Sequence, residues 1–283
     1  MTGAASPVHA PPVHAPPVRA PIGVFDSGVG GLTVLRALID DLPAEDFLYL
    51  GDTARLPYGT KSAETVARYS VRAAEALVAR GIKALVVACN TASASALPAL
   101  RARFPRLPVI GVIEPGARAA CDASTSGRIA VLATEGTVQG GAYVRAIQAL
   151  RPDAQVTQIA CQIFVALAEE GWSEGEAVNA VAERCLAHLD ARTDTVVLGC
   201  THFPLLAAAI SKQLGATRRV VDSAATTARA TRHELAARGL ATDSERAGNL
   251  VLMATDSPGR FARVGARFLG SSIAPNAVEI IDL

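Results

Sequence analysis

Short apolar runs without polar interruption recur along this chain. Each is followed by small polar residues and then by a longer stretch with helical spacing. The runs include "IGVF" from Ile22, "DFLYLGD" from Asp46, "KALVVAC" from Lys83, "GRIAVLA" from Gly127, "DTVVLGC" from Asp194 and "GNLVLMATD" from Gly248. A strand with one wet face alternates apolar and polar residues; a strand covered on both faces does not. The pattern therefore predicts an α/β fold of mainly parallel strands sandwiched between helices.

The order strand, helix, strand, helix, strand ending in cysteine occurs twice. It closes first on "VVACNTASASAL", residues 86–97, and then on "VVLGCTHFPLLA", residues 196–207. Residue identity between the halves is slight, so it is the shared layout that predicts two similar α/β domains. Residues 21–113 with 225–283 are expected to form the first and residues 114–224 the second. Open α/β sheets bind ligands at the carboxyl ends of their strands. Two such domains facing each other would bring Cys89 and Cys200 to one cleft. Pro98 is tolerated in the first turn of a helix but not in its interior, so the helix after "CNT" is expected to begin near Leu97. Gly81 is a candidate C-terminal cap for the helix before "KALVVAC". Residues 1–20 carry "ASPVHAPPVHAPPVRAP", whose composition favours a disordered, extended tail. It lacks the basic start and apolar core of a secretory signal.

Composition narrows the function. With 27 basic and 26 acidic residues, the chain lacks the clustered basic excess of a nucleic-acid surface. No apolar run reaches the ~18 residues of a spanning helix, so a soluble protein with no membrane partner is expected. The 5 cysteines are widely spaced and include no C-x-x-C pair. That argues against a disulfide scaffold or a structural metal site and for a reducing, cytoplasmic setting. The lysines, Lys61, Lys83 and Lys212, stand in no Schiff-base context, which gives pyridoxal chemistry little support.

The strand-end loops hold the chemistry. A cysteine at a strand end, near helix N-termini and backbone amides, can have its thiol pKa lowered from ~8.5. Cys121, Cys161 and Cys185 read as small core residues. Cys89 and Cys200 differ, because matched polar pairs follow them: Asn90-Thr91 and Thr201-His202. "DSGVGG" lacks the spacing of a nucleotide loop and has no Lys-Ser or Lys-Thr after its glycines. It suits close backbone approach to a small ligand, with Asp26 and Ser27 placed to hold an ammonium group. "YGT" at 58–60 and "TEGT" at 134–137 offer hydroxyls and backbone N–H groups that suit carboxylates. His202, two residues beyond Cys200, is a candidate proton partner.

The blocks "IGVFDSGVGGLTVLRAL", "YLGDTARLPYGTKS", "VVACNTASA", "PVIGVIEPGA", "ATEGTV" and "VVLGCTHFPLL" resemble, in order, those of the glutamate racemases, members of the cofactor-independent aspartate/glutamate racemase superfamily. The resemblance runs from Ile22 to at least Ser223; the last sixty or so residues match only loosely. It implies two similar α/β domains with the active site between them, and no cofactor. It places the catalytic cysteines on Cys89 and Cys200, assisted by Asp26 and His202. Substrate contacts fall on Asp26, Ser27, Pro57, Tyr58, Gly59, Asn90, Thr91, Thr134, Thr201 and His202. It also implies a homodimer acting on glutamate as a small-molecule substrate. The chain departs from the pattern at "CQIFVALAEE", where Gln162 and Ala166 replace prolines. The loss of two proline restraints is expected to loosen that loop, and Glu169, which keeps the acidic position, is left without an assigned catalytic part.

Such an enzyme inverts an α-carbon by removing a proton from one face and delivering another to the opposite face. Two thiols on opposite sides do this without turning the substrate over. The resemblance assigns Cys89 to the D-enantiomer and Cys200 to the L-enantiomer. Three other readings stay open: a racemase of aspartate or a hydantoin, a cysteine hydrolase with Cys200 as nucleophile and His202 as base, and a binding role without catalysis.

Overall fold

A computed structural model describes residues 17–283 of the chain. In chain order the elements are β1 (Ile22–Asp26), α1 (Leu32–Asp41), β2 (Phe47–Gly51), α2 (Ala63–Ala79), β3 (Ala84–Val87), α3 (Asn90–Arg103), β4 (Val109–Gly111) and α4 (Ile113–Ala123). There follow β5 (Arg128–Ala133), α5 (Glu135–Gly140), α6 (Ala142–Leu150), β6 (Gln155–Ala160), α7 (Ile163–Glu170), α8 (Glu176–Leu186), β7 (Thr195–Gly199), α9 (Ala207–Leu214), β8 (Arg219–Asp222) and α10 (Ala224–Ala237). The chain ends with β9 (Leu250–Ala254), α11 (Pro258–Leu269) and β10 (Val278–Ile280).

The strands form a six-stranded sheet, β10-β9-β2-β1-β3-β4, and a four-stranded sheet, β6-β5-β7-β8. Every neighbouring pair is parallel. The fold is thus α/β, in two similar units. The order β2-β1-β3-β4 in one sheet matches β6-β5-β7-β8 in the other, which makes β3 and β7 counterparts. Strands β1, β3 and β7 are buried at every residue, as their unbroken apolar runs require. β6 alternates between exposed and half-buried residues, as befits an edge strand. β10 has no counterpart in the sequence reading; its three residues are too few to show a period.

Three expectations need correction. The helix after Cys89 begins at Asn90, not near Leu97, and runs through Pro98. An interior proline costs a helix about 3 kcal/mol. Burying one large apolar side chain returns about 1.5–3 kcal/mol, and α3 buries Leu97 and Leu100 along with Ala92 and Ala96. Packing therefore outweighs the local penalty. The segment with two missing prolines is ordered as α7. Phe164, Leu167 and Ala168 anchor it in the core, and Gly171, in the left-handed region at φ 78°, closes it. Gly171 N–H donates to the Ala168 carbonyl and Trp172 N–H to the Leu167 carbonyl, the paired bonds of a Schellman cap.

The third concerns the tail. Residues 1–16 of the expected disordered segment lie outside the described residues. Residues 17–20 form a turn, with Ala20 buried and its N–H donating to the Pro17 carbonyl at 2.8 Å. Beneath them Lys83 and Glu45 form a buried ion pair. An ammonium has three donors to satisfy, and Lys83 donates one to the Val18 carbonyl, which ties the segment down.

Candidate active site

Cys89 follows β3 and Cys200 follows β7, so the counterpart strands deliver one thiol each. Both line a single cavity of about 40 Å³ between the two sheets. Ser27, Pro57, Tyr58, Gly59, Asn90, Thr91, Thr134, Thr201 and His202 line the same cavity. Gly28, Leu56, Gln162, Val165 and Glu169 complete the wall. A larger cavity of about 920 Å³ opens beside the amino end of β4, between α3, α4 and α10. It holds no cysteine and none of the residues expected in the site, so chemistry, not size, identifies the smaller one.

Cys89 is the N-cap of α3. Its sulfur accepts from Ala92 N–H at 3.4 Å and lies 3.5 Å from Ser27 Oγ, whose hydroxyl donates to it once the sulfur is ionised. These contacts favour the thiolate, as a helix N-terminus does. Burial and then the charge of Asp26 outweigh them and push the thiol up to about 12. Cys89 is therefore a thiol at rest. On the other side, the Cys200 sulfur lies 3.8 Å from His202 Nδ1, and His202 Nε2 lies 3.3 Å from Glu169 Oε1. Burial disfavours the imidazolium, but the hydrogen bonds to Cys200 and Glu169 prevail, and His202 is pushed up to about 10. The bond from His202 in turn lowers the Glu169 carboxyl despite its burial.

Asp26 differs from its expected place. It does not line the cavity but lies wholly buried beneath it, because β1 ends inside the sheet and the "SGVGG" turn folds over it. Its Oδ2 accepts from Gly28 N–H at 2.9 Å, while Oδ1 has no partner. Burial raises its carboxyl, and the nearby His202 opposes that rise. The Tyr58 hydroxyl, expected to face a carboxylate, donates to Asp52 Oδ2 at 2.6 Å, so it is the rest of Tyr58 and Gly59 that meets the cavity.

The remaining walls bind the units together around the cavity. Thr91 of α3 meets Thr134 at 2.9 Å and Thr137 at 3.2 Å, and those two lie 3.0 Å apart. Thr33 of α1 donates to the Thr201 carbonyl at 3.1 Å. Gly30 passes so close that a Cβ there would stand 2.4 Å from His202 Nδ1 and from Thr201 Oγ1. Asn90 Oδ1 accepts from Tyr143 at 2.8 Å, but its Nδ2 is buried without a partner, as is Gln162 Oε1. Buried polar atoms left unpaired are rare and costly, so an unpaired amide donor and an unpaired amide acceptor on one cavity suit a ligand with both anionic and cationic groups.

Sequence reading missed Gln162 and the position of Glu169. Their signal was present in "CQIFVALAEE", where Gln162 precedes the helix and Glu169 lies in its last turn. Only the seating of α7 shows that both reach the cavity. Cys121, Cys161 and Cys185, read as core residues, pack against the apolar core, and none of the three lines this cavity.

Residues 22–231 match the sequence profile of the Asp/Glu/Hydantoin racemase family. A glutamate racemase from Geobacter metallireducens is 51% identical over 253 residues, covering 89% of this chain and 93% of that protein. The crystal structure of glutamate racemase isoform RacE1 from Bacillus anthracis superposes with a TM-score of 0.89 at 38% identity, covering 93% of this chain and 98% of that one. That of glutamate racemase from Francisella tularensis, in complex with D-glutamate, superposes with a TM-score of 0.87 at 33% identity, covering 94% and 98%. This chain belongs to the Asp/Glu/Hydantoin racemase family, within its glutamate racemase group, and is an amino-acid racemase.

Proposed function

We propose that the protein interconverts L- and D-glutamate by two-base proton transfer at the α-carbon, with Cys89 and Cys200 as the bases. The observation that carries this reading is the pairing of two thiols, delivered by counterpart strands of separate sheets, on one cavity. The Francisella relative binds D-glutamate, and the relatives of high identity share the name glutamate racemase.

In one direction the Cys89 thiolate takes the α-proton of D-glutamate and the Cys200 thiol gives its proton to the opposite face. L-glutamate leaves, with Cys89 now a thiol and Cys200 a thiolate. The reverse direction exchanges the roles. The resting Cys89 thiol must first ionise, its proton leaving to solvent while the units are parted. A substrate ammonium arriving beside Cys89 and Asp26 favours the charged forms of both. No cofactor spreads the charge of the carbanion-like intermediate in this reading, so preorganised donors must meet it at the α-carboxylate. Asn90 Nδ2, Thr91 and Thr201 are those donors. A cavity of about 40 Å³ holds a few waters and less than glutamate needs, so the units must part to admit substrate. Reclosure excludes water and strengthens each polar contact.

The physiological role proposed is supply of D-glutamate for peptidoglycan, in the cytoplasm, by a homodimer. The row Cys200, His202, Glu169 also has the order of a cysteine hydrolase triad, but that chemistry leaves Cys89 without work. Circular dichroism of D-glutamate, followed with purified protein and no added cofactor, tests the proposal. Decay of the signal to zero is expected. Persistence of the signal with folded protein would overturn the glutamate reading, and a trapped acyl-enzyme would favour the hydrolase.

A further inference from the structure

Helix α11 comes from the part of the chain that matches the family blocks only loosely, yet it reaches the Cys200 side of the site. Pro258 starts the helix and Gly270, at φ 79°, ends it. Phe261, Val264, Gly265 and Phe268 form its buried stripe at helical spacing. Gly265 lies against Leu32 of α1, so α11 packs on the first unit. Its flank projects the other way, toward α7 and His202 of the second unit.

Three of its residues make those contacts. Arg260 Nη2 donates to Glu169 Oε2 at 3.0 Å, while the other oxygen of that carboxylate faces His202 Nε2. Arg267 Nη1 donates to the Glu169 backbone carbonyl at 3.0 Å, and its guanidinium packs over Gly171, where a Cβ would stand 2.6 Å away. Two cations thus meet the carboxyl end of α7, where the helix dipole favours positive charge. The Phe268 ring meets the His202 ring edge-on, with centroids 5.1 Å apart at 74°.

We propose that α11 is the positioning element for the Cys200 half of the site, and that Arg260 is the residue that holds Glu169, and through it His202, in register with Cys200. The inference rests on the two-cysteine reading above. The side chain of Arg260 is 49% exposed and that of Glu169 17%. Their pair lies at the edge of the site, where geometry matters more than net ion-pair energy. Without the guanidinium, Glu169 loses the donor that fixes its second oxygen and is free to rotate toward solvent. His202 then loses its Nε2 partner, and the contact at Nδ1 with Cys200 loosens. Because Arg260 and Glu169 belong to different units, the bond also links closure of the units to readiness of Cys200. The polar contacts of Cys89 are with Ser27 and Ala92, neither of them on α11, so its half of the reaction is spared.

The test uses the full chain carrying Arg260→Gln, and primary deuterium isotope effects on kcat/KM for 2-deuterated L- and D-glutamate. Equal free energies of the enantiomers force kcat/KM to be the same in both directions, so only the isotope effects show which transfer has slowed. A fall of about tenfold in kcat/KM is expected, below the ~10² to 10⁴ attributed to a positioned acid or base itself. The isotope effect should rise for the enantiomer deprotonated by Cys200, the L-form, and fall toward unity for the other. Arg260→Lys, which keeps the charge, should recover most of the loss. A drop with both isotope effects unchanged, or with both shifted alike, would overturn the inference, as would wild-type kinetics in the glutamine variant. Absence of glutamate racemisation by the wild-type protein would instead sink the functional reading and is seen before any variant is made.

Discussion

Cys89 and Cys200 occupy matching positions in two copies of one four-strand layout, and they line the same cavity from opposite sheets. Their surroundings nevertheless differ. Cys89 caps a helix beside a buried carboxylate, and Cys200 faces an imidazole backed by a carboxylate. One repeat has thus yielded two thiols of different chemistry.

Each thiol is indispensable in the two-base scheme. Cys89→Ser and Cys200→Ser should each lower racemisation by more than about 10³-fold, since each removes a positioned base and acid. Both proteins should keep the wild-type far-ultraviolet spectrum. Exchange of the α-proton with deuterated water, followed by proton NMR, should persist on one enantiomer only, and on the opposite one in each variant. Equal residual racemisation in both would refute the scheme.

Gly30 has no room for a side chain beside His202 and Thr201. Gly30→Ala should destabilise the fold by about 1–3 kcal/mol through overpacking and lower activity by at least about tenfold through displacement of His202. Gly259→Ala is the control: nothing stands within 4 Å of a Cβ there. It lies inside α11, where alanine is favoured by about 0.5–1 kcal/mol. Thermal unfolding and the dichroism assay distinguish the two.

Alkaline stability should report on Cys89. In the unfolded chain its thiol ionises near pH ~8.5, whereas in the folded protein burial and Asp26 push it up to about 12. The folded state thus holds a proton that the unfolded state releases. The associated stability is whole below pH ~8.5 and declines as pH rises toward about 12, by up to ~1.4 kcal/mol per pH unit. Tyr49, Tyr58 and Tyr143, also raised by burial, add to the loss above pH ~10. Between pH ~8.5 and ~10, urea unfolding of Cys89→Ser should therefore show a shallower pH slope than the wild type. Identical slopes would show that Cys89 ionises as freely when folded.

Substrate should stabilise the closed arrangement. At a concentration of D-glutamate ~100 times Kd, the gain is about 2.7 kcal/mol, which for a chain of this size raises Tm by roughly 4–5 °C. A scanning fluorimetry titration checks this. No shift at any concentration would mean that the cavity does not take glutamate.

The sequence by itself determined the layered α/β plan and named most of the side chains that line the cavity. Uninterrupted apolar runs of about four to seven residues between turn signals read as strands covered on both faces, and the polar pairs after Cys89 and Cys200 marked the strand ends. Those signals are local, a period and a short motif, so they are legible without coordinates. What depends on long-range packing was not. Pro98 argued for a late helix start, and burial of Leu97 and Leu100 overruled it. Asp26 read as a cavity residue and lies beneath the floor, because the depth of a strand end is set by its neighbours in the sheet. Glu169 was set aside on the loss of two prolines, yet α7 seats it against His202, and Arg260 reaches it from 91 residues further along the chain. Only the tertiary structure joined these groups, since they meet across long stretches of chain, Glu169 and His202 within one unit and Arg260 and Glu169 across the two.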